Sequence, residues 1–272
     1  MIIVTAEIGI NHNGNLGIAK ELIKVAKLAG CDFVKFQKRD PDQCVPEHQK
    51  NVKRETPWGT MTYLDYKKHI EFSKAEYEII DKYCKQIDIP WFASIWDQSS
   101  VEFFKNSSFG LPFVKVPSCC NTDLDLIYEI RKLGIPMILS TGMTNRREFY
   151  KLVKRDVKYI LACTSTYPTP PEEVNLSFIN TLKSQFPKQK IGFSNHSAGL
   201  TAMLGAAAIG AEMIEMHITL DRSMWGTDQA ASIEPMGVMK VIHHVKQLKQ
   251  MIGTGDWTVF PGERKAIGRL RK

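Results

Sequence analysis

The chain has 272 residues, of which 43% are hydrophobic, 24% charged and 10% aromatic, enough apolar material for a large folded domain and too much for a disordered chain. Mean hydropathy is −0.21, and no apolar run approaches the ~20 residues of a spanning helix, which excludes a helical integral membrane protein. Lys and Arg outnumber Asp and Glu by 36 to 29, a net charge of +7, but the surplus sits in scattered KK, KR and RR pairs and in the terminal ERKAIGRLRK; without one basic stripe a nucleic-acid partner is not expected.

The N-terminus, MIIVTAEIGINHNG, has no basic leader region, no small-residue cleavage site and a glutamate, Glu7, inside its first apolar stretch. It does not read as a signal peptide, so a cytoplasmic protein is expected. Short β-branched and aromatic runs then alternate with amphipathic stretches. Strands are predicted at residues 2–8, 33–37, 91–96, 113–118, 137–141, 159–164, 191–195 and 213–218. Helices are predicted at 16–29, 74–86, 99–105, 124–133, 146–154, 176–184, 200–209 and 236–251, with Gly30, Gly134, Gly210 and Gly253 at helix ends. Eight βα units in about 250 residues, without a GxGxxG after any strand, predict an α/β fold of the closed (β/α)₈ TIM-barrel type as a single domain spanning 1–272. One insertion, about 39–73, carries Pro41, Pro46, Pro57, Trp58 and Tyr63 and is expected to lie over the barrel mouth.

Barrel active sites lie at the C-terminal ends of the strands, and unusual polar residues fall there in every unit. These are Glu7; Lys35 and Gln37; Ser94; Lys115 and Ser118; Ser140 and Thr141; Thr164, Ser165 and Tyr167; Ser194 and His196; Glu215 and His217. Spacing by two sends Lys35 with Gln37, Ser194 with His196, and Glu215 with His217 to a common face. His196 and His217 on neighbouring strands can share a divalent metal, although either alone reads as an ordinary structural histidine. Lys35 and Lys115, with nearby serine hydroxyls, suit a phosphate or carboxylate; alternatively each lysine pairs with Glu7 or Glu215, or one forms a Schiff base as in an aldolase. His12, His48, His69, His243 and His244 are expected to be solvated or capping. The methionines and the adjacent Cys119 and Cys120 are expected to be packing residues outside the site, and all six cysteines to be reduced.

The motifs AEIGINHNG (6–14), KFQ (35–37), PWGTMTYLDYK (57–67), KVPS (115–118), STGM (140–143), CTSTYPTP (163–170), GFSNHSAG (192–199) and EMHITLDR (215–222) together resemble the sialic acid synthase (N-acetylneuraminate synthase) family. That resemblance implies metal-dependent condensation of phosphoenolpyruvate with an aldose, an N-acetylmannosamine-like sugar or a related one, to give a 2-keto-3-deoxy acid and phosphate. It assigns the ion, manganese with magnesium or cobalt as alternatives, to His196 and His217. Lys35, Lys115, Ser118 and Ser194 would hold phosphoenolpyruvate, with Ser94 and Ser165 beside them. Glu7 and Glu215 would handle proton and water steps, and Gln37, Tyr167 and Asp228 would face the sugar, with Tyr63 closing over it. Threonine, asparagine and aspartate are common in the family where this chain has Ser94, Ser165 and Asn195, and Gly-Glu where it has Cys119–Cys120. The family's C-terminal antifreeze-like domain is not expected within this sequence, leaving a homodimer or a separate capping-domain protein as possible partners. The competing readings are a metal-dependent aldolase or hydrolase on the same barrel, and a non-catalytic scaffold of a glycan-synthesis complex.

Overall fold

The computed structural model describes residues 2–271. Eight parallel strands, β1 (Ile3–Gly9), β2 (Phe33–Lys38), β3 (Trp91–Ile95), β4 (Val114–Val116), β5 (Met137–Ser140), β6 (Val157–Cys163), β7 (Lys190–Asn195) and β8 (Met213–His217), close into a barrel in which β1 pairs with both β2 and β8. The predicted α/β barrel is therefore present. The largest boundary difference is at β4, which has three residues where six were expected: Pro112 precedes it and Pro117, lacking a backbone N–H, ends the ladder. The glycines expected at helix ends all take positive φ, between 62° and 89°.

Alternation along the strands builds two faces. Outward residues such as Val34, Phe36, Ala93, Ile95, Val114 and Ile214 join the large core between the strands and the surrounding helices. Inward residues are layered. Ile3, Phe33, Phe92, Phe113, Ile138, Tyr159, Leu161 and Met213 form a separate apolar cluster that plugs the lower barrel. Two residues further along each strand, the same face presents Thr5, Lys35, Ser94, Lys115, Ser140, Cys163 and Glu215. The plug is full at β7: a Cβ on Gly192 would lie 2.6 Å from Leu161 Cδ2 and from the Met213 carbonyl oxygen, so glycine there makes room for its neighbours.

The insertion is ordered, as expected. Two helical turns, Pro41–Cys44 and Glu47–Lys50, lead to a hairpin of Lys53–Thr56 with Gly59–Thr62 and then to the helix Tyr63–Ile70. Tyr66 and Ile70 bury against Ile10, with Tyr63, Met61 and Trp225 around them, and the rings of Tyr66 and Trp225 meet edge to face at 5.0 Å. This apolar anchor fixes the insertion to the barrel rim and leaves Tyr63 and Lys67, one turn apart, on the side facing the mouth. The Pro235–Met251 helix packs against the Leu16–Ala29 and Thr201–Ala208 helices. Beyond it, an exposed stretch leads to a helix not anticipated from the sequence, Pro261–Leu270.

Candidate active site

The C-terminal mouth of the barrel opens on a cavity of about 340 Å³, within the range of small-molecule sites. A roomier hollow of about 540 Å³ lies beside it, between the segments that follow β5 and β6, but the charged residues lining it, Arg146 and Glu173, are exposed. The mouth cavity instead holds buried charge. Glu7, Lys35, Lys115 and Glu215 all line it, and none is more than 5% exposed.

Strand register brings these groups together. Glu7 stands opposite His217 on one side and Lys35 on the other, while Ser94 stands opposite both Gln37 and Lys115. Lys35 Nζ lies 2.6 Å from Glu7 Oε2 and 3.9 Å from Glu215 Oε1. Lys115 Nζ donates to Glu215 Oε1 at 2.5 Å, and Gln37 Nε2 donates to Glu7 Oε1 at 3.1 Å. Both lysines are thus in carboxylate pairs, the alternative left open by the sequence.

The two carboxylates titrate apart. Burial, reinforced by the neighbouring Glu215 charge, raises the Glu7 carboxyl above its ordinary value even with Lys35 beside it. Burial acts the same way on Glu215, but Lys115 and Lys35 overcome it and hold the carboxyl down at about 2. Lys35 is raised: burial works against its charge, and Glu215 and Glu7 outweigh that effect. Two carboxyls of the same chemistry are thus pushed in opposite directions by their surroundings.

The histidines stand beside these groups, His217 paired with Glu7 and two residues beyond Glu215. Their ring centroids are 5.4 Å apart. His196 Nδ1 lies 2.7 Å from the Thr164 carbonyl oxygen, which only accepts, so Nδ1 carries a proton; Nε2 faces the Tyr167 hydroxyl at 2.8 Å. Burial lowers His217 to about 3, with His196 and Lys35 adding to the effect and Asp228 opposing it. Its imidazole is therefore neutral, with Nδ1 buried and unpartnered and 3.6 Å from Asp228 Oδ2.

The chain matches the NeuB family model over residues 22–257. Human N-acetylneuraminate-9-phosphate synthase is 34% identical over an alignment covering 99% of this chain and 76% of that protein. The chain belongs to the NeuB family. An N,N'-diacetyllegionaminic acid synthase of Campylobacter jejuni is 34% identical across 99% of this chain and 83% of its own length. A crystal structure of N-acetylneuraminic acid (sialic acid) synthetase from Leptospira borgpetersenii, in complex with citrate, superposes with a TM-score of 0.86 at 29% identity, covering 98% of this chain and 90% of that one. This NeuB-family chain is accordingly a phosphoenolpyruvate-condensing transferase that forms a sugar acid.

Of the residues the sequence selected in this NeuB-family barrel, Gln37, Tyr63, Ser94, Ser118, Ser165, Tyr167, His196, His217 and Asp228 line the cavity with the four charged floor residues. Ser194 does not. It stands in register between Cys163 and Glu215 and donates to Glu215 Oε1 at 3.1 Å, so it positions that carboxylate instead of lining the cavity with Ser118. Cys119 and Met143 line the cavity, correcting the expectation that the adjacent cysteines and the methionines stay outside it, and Cys163 lines it as well. The Cys163 thiol, 3.7 Å from His196 Nδ1, is lowered to about 7: burial opposes ionisation, and His196, Lys115 and Ser118 together outweigh it. The signal for Cys163 was available, since Tyr159, Leu161 and Cys163 share an inward face at period two.

His12 corrects a second expectation. It is buried, stacked on Phe72 with centroids 4.1 Å apart, and its Nδ1 accepts from the Gly14 N–H at 3.0 Å. Burial first, then Arg39, lowers it to about 3. Arg39 and Lys67 also line the cavity and were missed: Arg39 continues the period-two series of Lys35 and Gln37 just past β2, whereas Lys67 is turned inward only by the fold of the insertion.

Proposed function

We propose that the chain condenses phosphoenolpyruvate with an aldose, releasing phosphate and a 2-keto-3-deoxy acid, with His196 and His217 holding a divalent ion, manganese by preference. The observation that carries the reading is the buried floor quartet of Glu7, Lys35, Lys115 and Glu215, with serine hydroxyls around it. Unmatched by function, such charges would be costly to desolvate. Relatives are named for both a phosphorylated product and an unphosphorylated one, so membership alone leaves the aldose open.

Lys35 and Lys115, with Ser118, Ser94 and Ser165, offer cations and hydroxyls for the phosphate and carboxylate of phosphoenolpyruvate. Gln37, Tyr63, Tyr167 and Asp228 face the acceptor sugar. Positioning the weakly nucleophilic enol carbon against the aldehyde removes much of the entropic barrier. As the new carbon–carbon bond forms, the aldehyde oxygen takes its proton from the Glu7–Lys35 pair, in which the Lys35 ammonium lies 2.6 Å from Glu7 Oε2. Water adds at the electron-poor C2 and gives a proton to the ionised Glu215. The tetrahedral carbon then loses phosphate by C–O cleavage, its remaining hydroxyl proton leaves, and the ketone results.

The donor set fits an open metal site. The Thr164 carbonyl fixes the His196 tautomer that leaves the Nε2 lone pair facing Tyr167, the arrangement that orients imidazole ligands. His217 is neutral and has an unpartnered buried Nδ1. Among the described residues no group of three His, Cys, Asp or Glu side chains converges on one point, so water or substrate oxygens would complete the coordination. When bound, the ion would supply Lewis-acid polarisation of the aldehyde oxygen.

Schiff-base aldol chemistry is disfavoured because the raised Lys35 is an ammonium, not a free amine. The test is phosphate release from phosphoenolpyruvate by the purified protein with manganese, across a panel containing N-acetylmannosamine, 2,4-diacetamido sugars, mannose and shorter aldoses. Release that requires one aldose supports the reading and names the substrate. Release with no aldose, or turnover that survives Lys115→Met, overturns it.

A further inference from the structure

Four cationic side chains line the mouth cavity, Lys35, Arg39, Lys67 and Lys115, and three have close carboxylate partners. Lys35 meets Glu7 at 2.6 Å, Lys115 meets Glu215 at 2.5 Å, and Arg39 Nε meets Glu71 Oε1 at 2.6 Å. Lys67 has no carboxylate within 4 Å among the described residues, although it is only 8% exposed. Its ammonium lies 5.1 Å from the ring centroids of both Tyr63 and Tyr66. Aromatic faces recover part of the lost hydration of a cation but do not neutralise it. Burial, with Arg39 adding to it, lowers this lysine to about 8, so a cation is held here at a cost.

Lys67 belongs to the outer rim. The charges that act on it most are Arg39, which lowers it, and Asp228 and Glu71, which oppose that effect. Arg39 spends Nε on Glu71, and its guanidinium sits 5.4 Å from the Trp96 ring; its terminal nitrogens make no protein hydrogen bond among the described residues. Two cations close enough to repel each other therefore line the same part of the cavity. A methionine or leucine would fill the space of the Lys67 stem without the desolvation cost, so the charge calls for an anion brought from outside.

We propose that Lys67 and Arg39 form an oxyanion subsite for a phosphate ester at the end of the acceptor aldose remote from its carbonyl. The inference rests on the condensation reading, which directs the sugar toward Tyr63 and Asp228. The phosphoenolpyruvate oxyanions have their own lysines on the floor, so a second and separated cationic pair matches a second anionic group. Lysine supplies a point charge and the arginine edge two directed donors, a combination suited to phosphate.

The experiment offers N-acetylmannosamine, mannose and arabinose each as the free sugar and as its terminal phosphate ester. Phosphoenolpyruvate turnover is followed in parallel with calorimetric binding of each sugar. For the productive aldose, the phosphate ester should exceed the free sugar in kcat/KM by at least about tenfold, the loss expected for one charge-assisted contact. Lys67→Met should collapse that ratio by a similar factor, mainly through KM for the ester, and Lys67→Arg should retain most of it. The melting temperature of Lys67→Met should equal or exceed that of the parent, which separates a binding role from a structural one. Preference for the free sugar, or a ratio unchanged in Lys67→Met, overturns the proposal. If no sugar supports turnover, the condensation reading fails, while calorimetry still decides the subsite: esters that bind the parent and Lys67→Met equally sink it.

Discussion

The floor and the rim of one cavity are built by different means. On the floor, Glu7, Lys35, Lys115 and Glu215 project from neighbouring barrel strands, so register fixes their spacing and the charges compensate in pairs. On the rim, Arg39, Tyr63, Lys67 and Asp228 come from the insertion and the segment after β8, and Lys67 is left without a carboxylate partner. Compensated charge on rigid strands suits chemistry common to any acceptor, whereas loop-borne charge suits recognition of one acceptor.

The contrast can be broken most forcefully at the floor. Lys115→Met leaves Glu215 buried with only Lys35, at 3.9 Å, and should cost about 3–5 kcal/mol of stability in chemical denaturation. The same change should lower kcat/KM at least ~10³-fold, since it removes a preorganised charge from the reacting end. A floor variant with parent-like stability and turnover would erase the distinction drawn between the two regions.

Acid should destabilise the fold through its buried histidines. His12 and His217 are both lowered from 6.5 to about 3 in the folded chain, so between these values the unfolded chain binds protons that the folded chain refuses. Stability present above pH 6.5 should fall as pH drops from there toward 3, by ~1.4 kcal/mol per pH unit for each histidine. Glu215, lowered from 4.5 to about 2, adds loss below pH 4.5 in the same direction. A denaturation midpoint flat between pH 6.5 and 4 would contradict these burial effects. His12→Phe, which keeps a ring against Phe72, should shallow the decline by the share of one histidine.

His217→Ala sharpens the comparison from the metal side. It should lower turnover about 10²-fold, as loss of a ligand or its partner does, and weaken manganese binding measured by electron paramagnetic resonance, with circular dichroism unchanged. Unaltered manganese binding would remove the ion from this site. Tyr167→Phe should act more weakly, within about tenfold on turnover: it deletes one neutral hydrogen bond to His196.

The sequence by itself determined the barrel and most of the floor, because both follow from period-two alternation. Once Phe33–Lys35–Gln37 and Met213–Glu215–His217 are read as strands, their inward faces and the position of the chemistry at the C-terminal ends follow from strand geometry. It also determined that the insertion would be ordered, through Trp58, Tyr63 and the prolines. Access to the cavity was a tertiary matter: Ser194 and Ser118 carry the same hydroxyl, yet Ser194 stands level with Glu215 and is spent on it, while Ser118, in the turn after β4, reaches the cavity. Pairing was another, since Lys35 and Lys115 read from the sequence chiefly as anion receptors, and only the folded chain shows each of them beside a carboxylate. So was the placement of Lys67 and His12, which depends on how the insertion folds back over the mouth through Tyr66, Ile70 and Trp225. Local pattern specifies which way a strand residue points, whereas burial, neighbouring charge and loop packing depend on residues far apart in the chain and are settled only when the barrel closes.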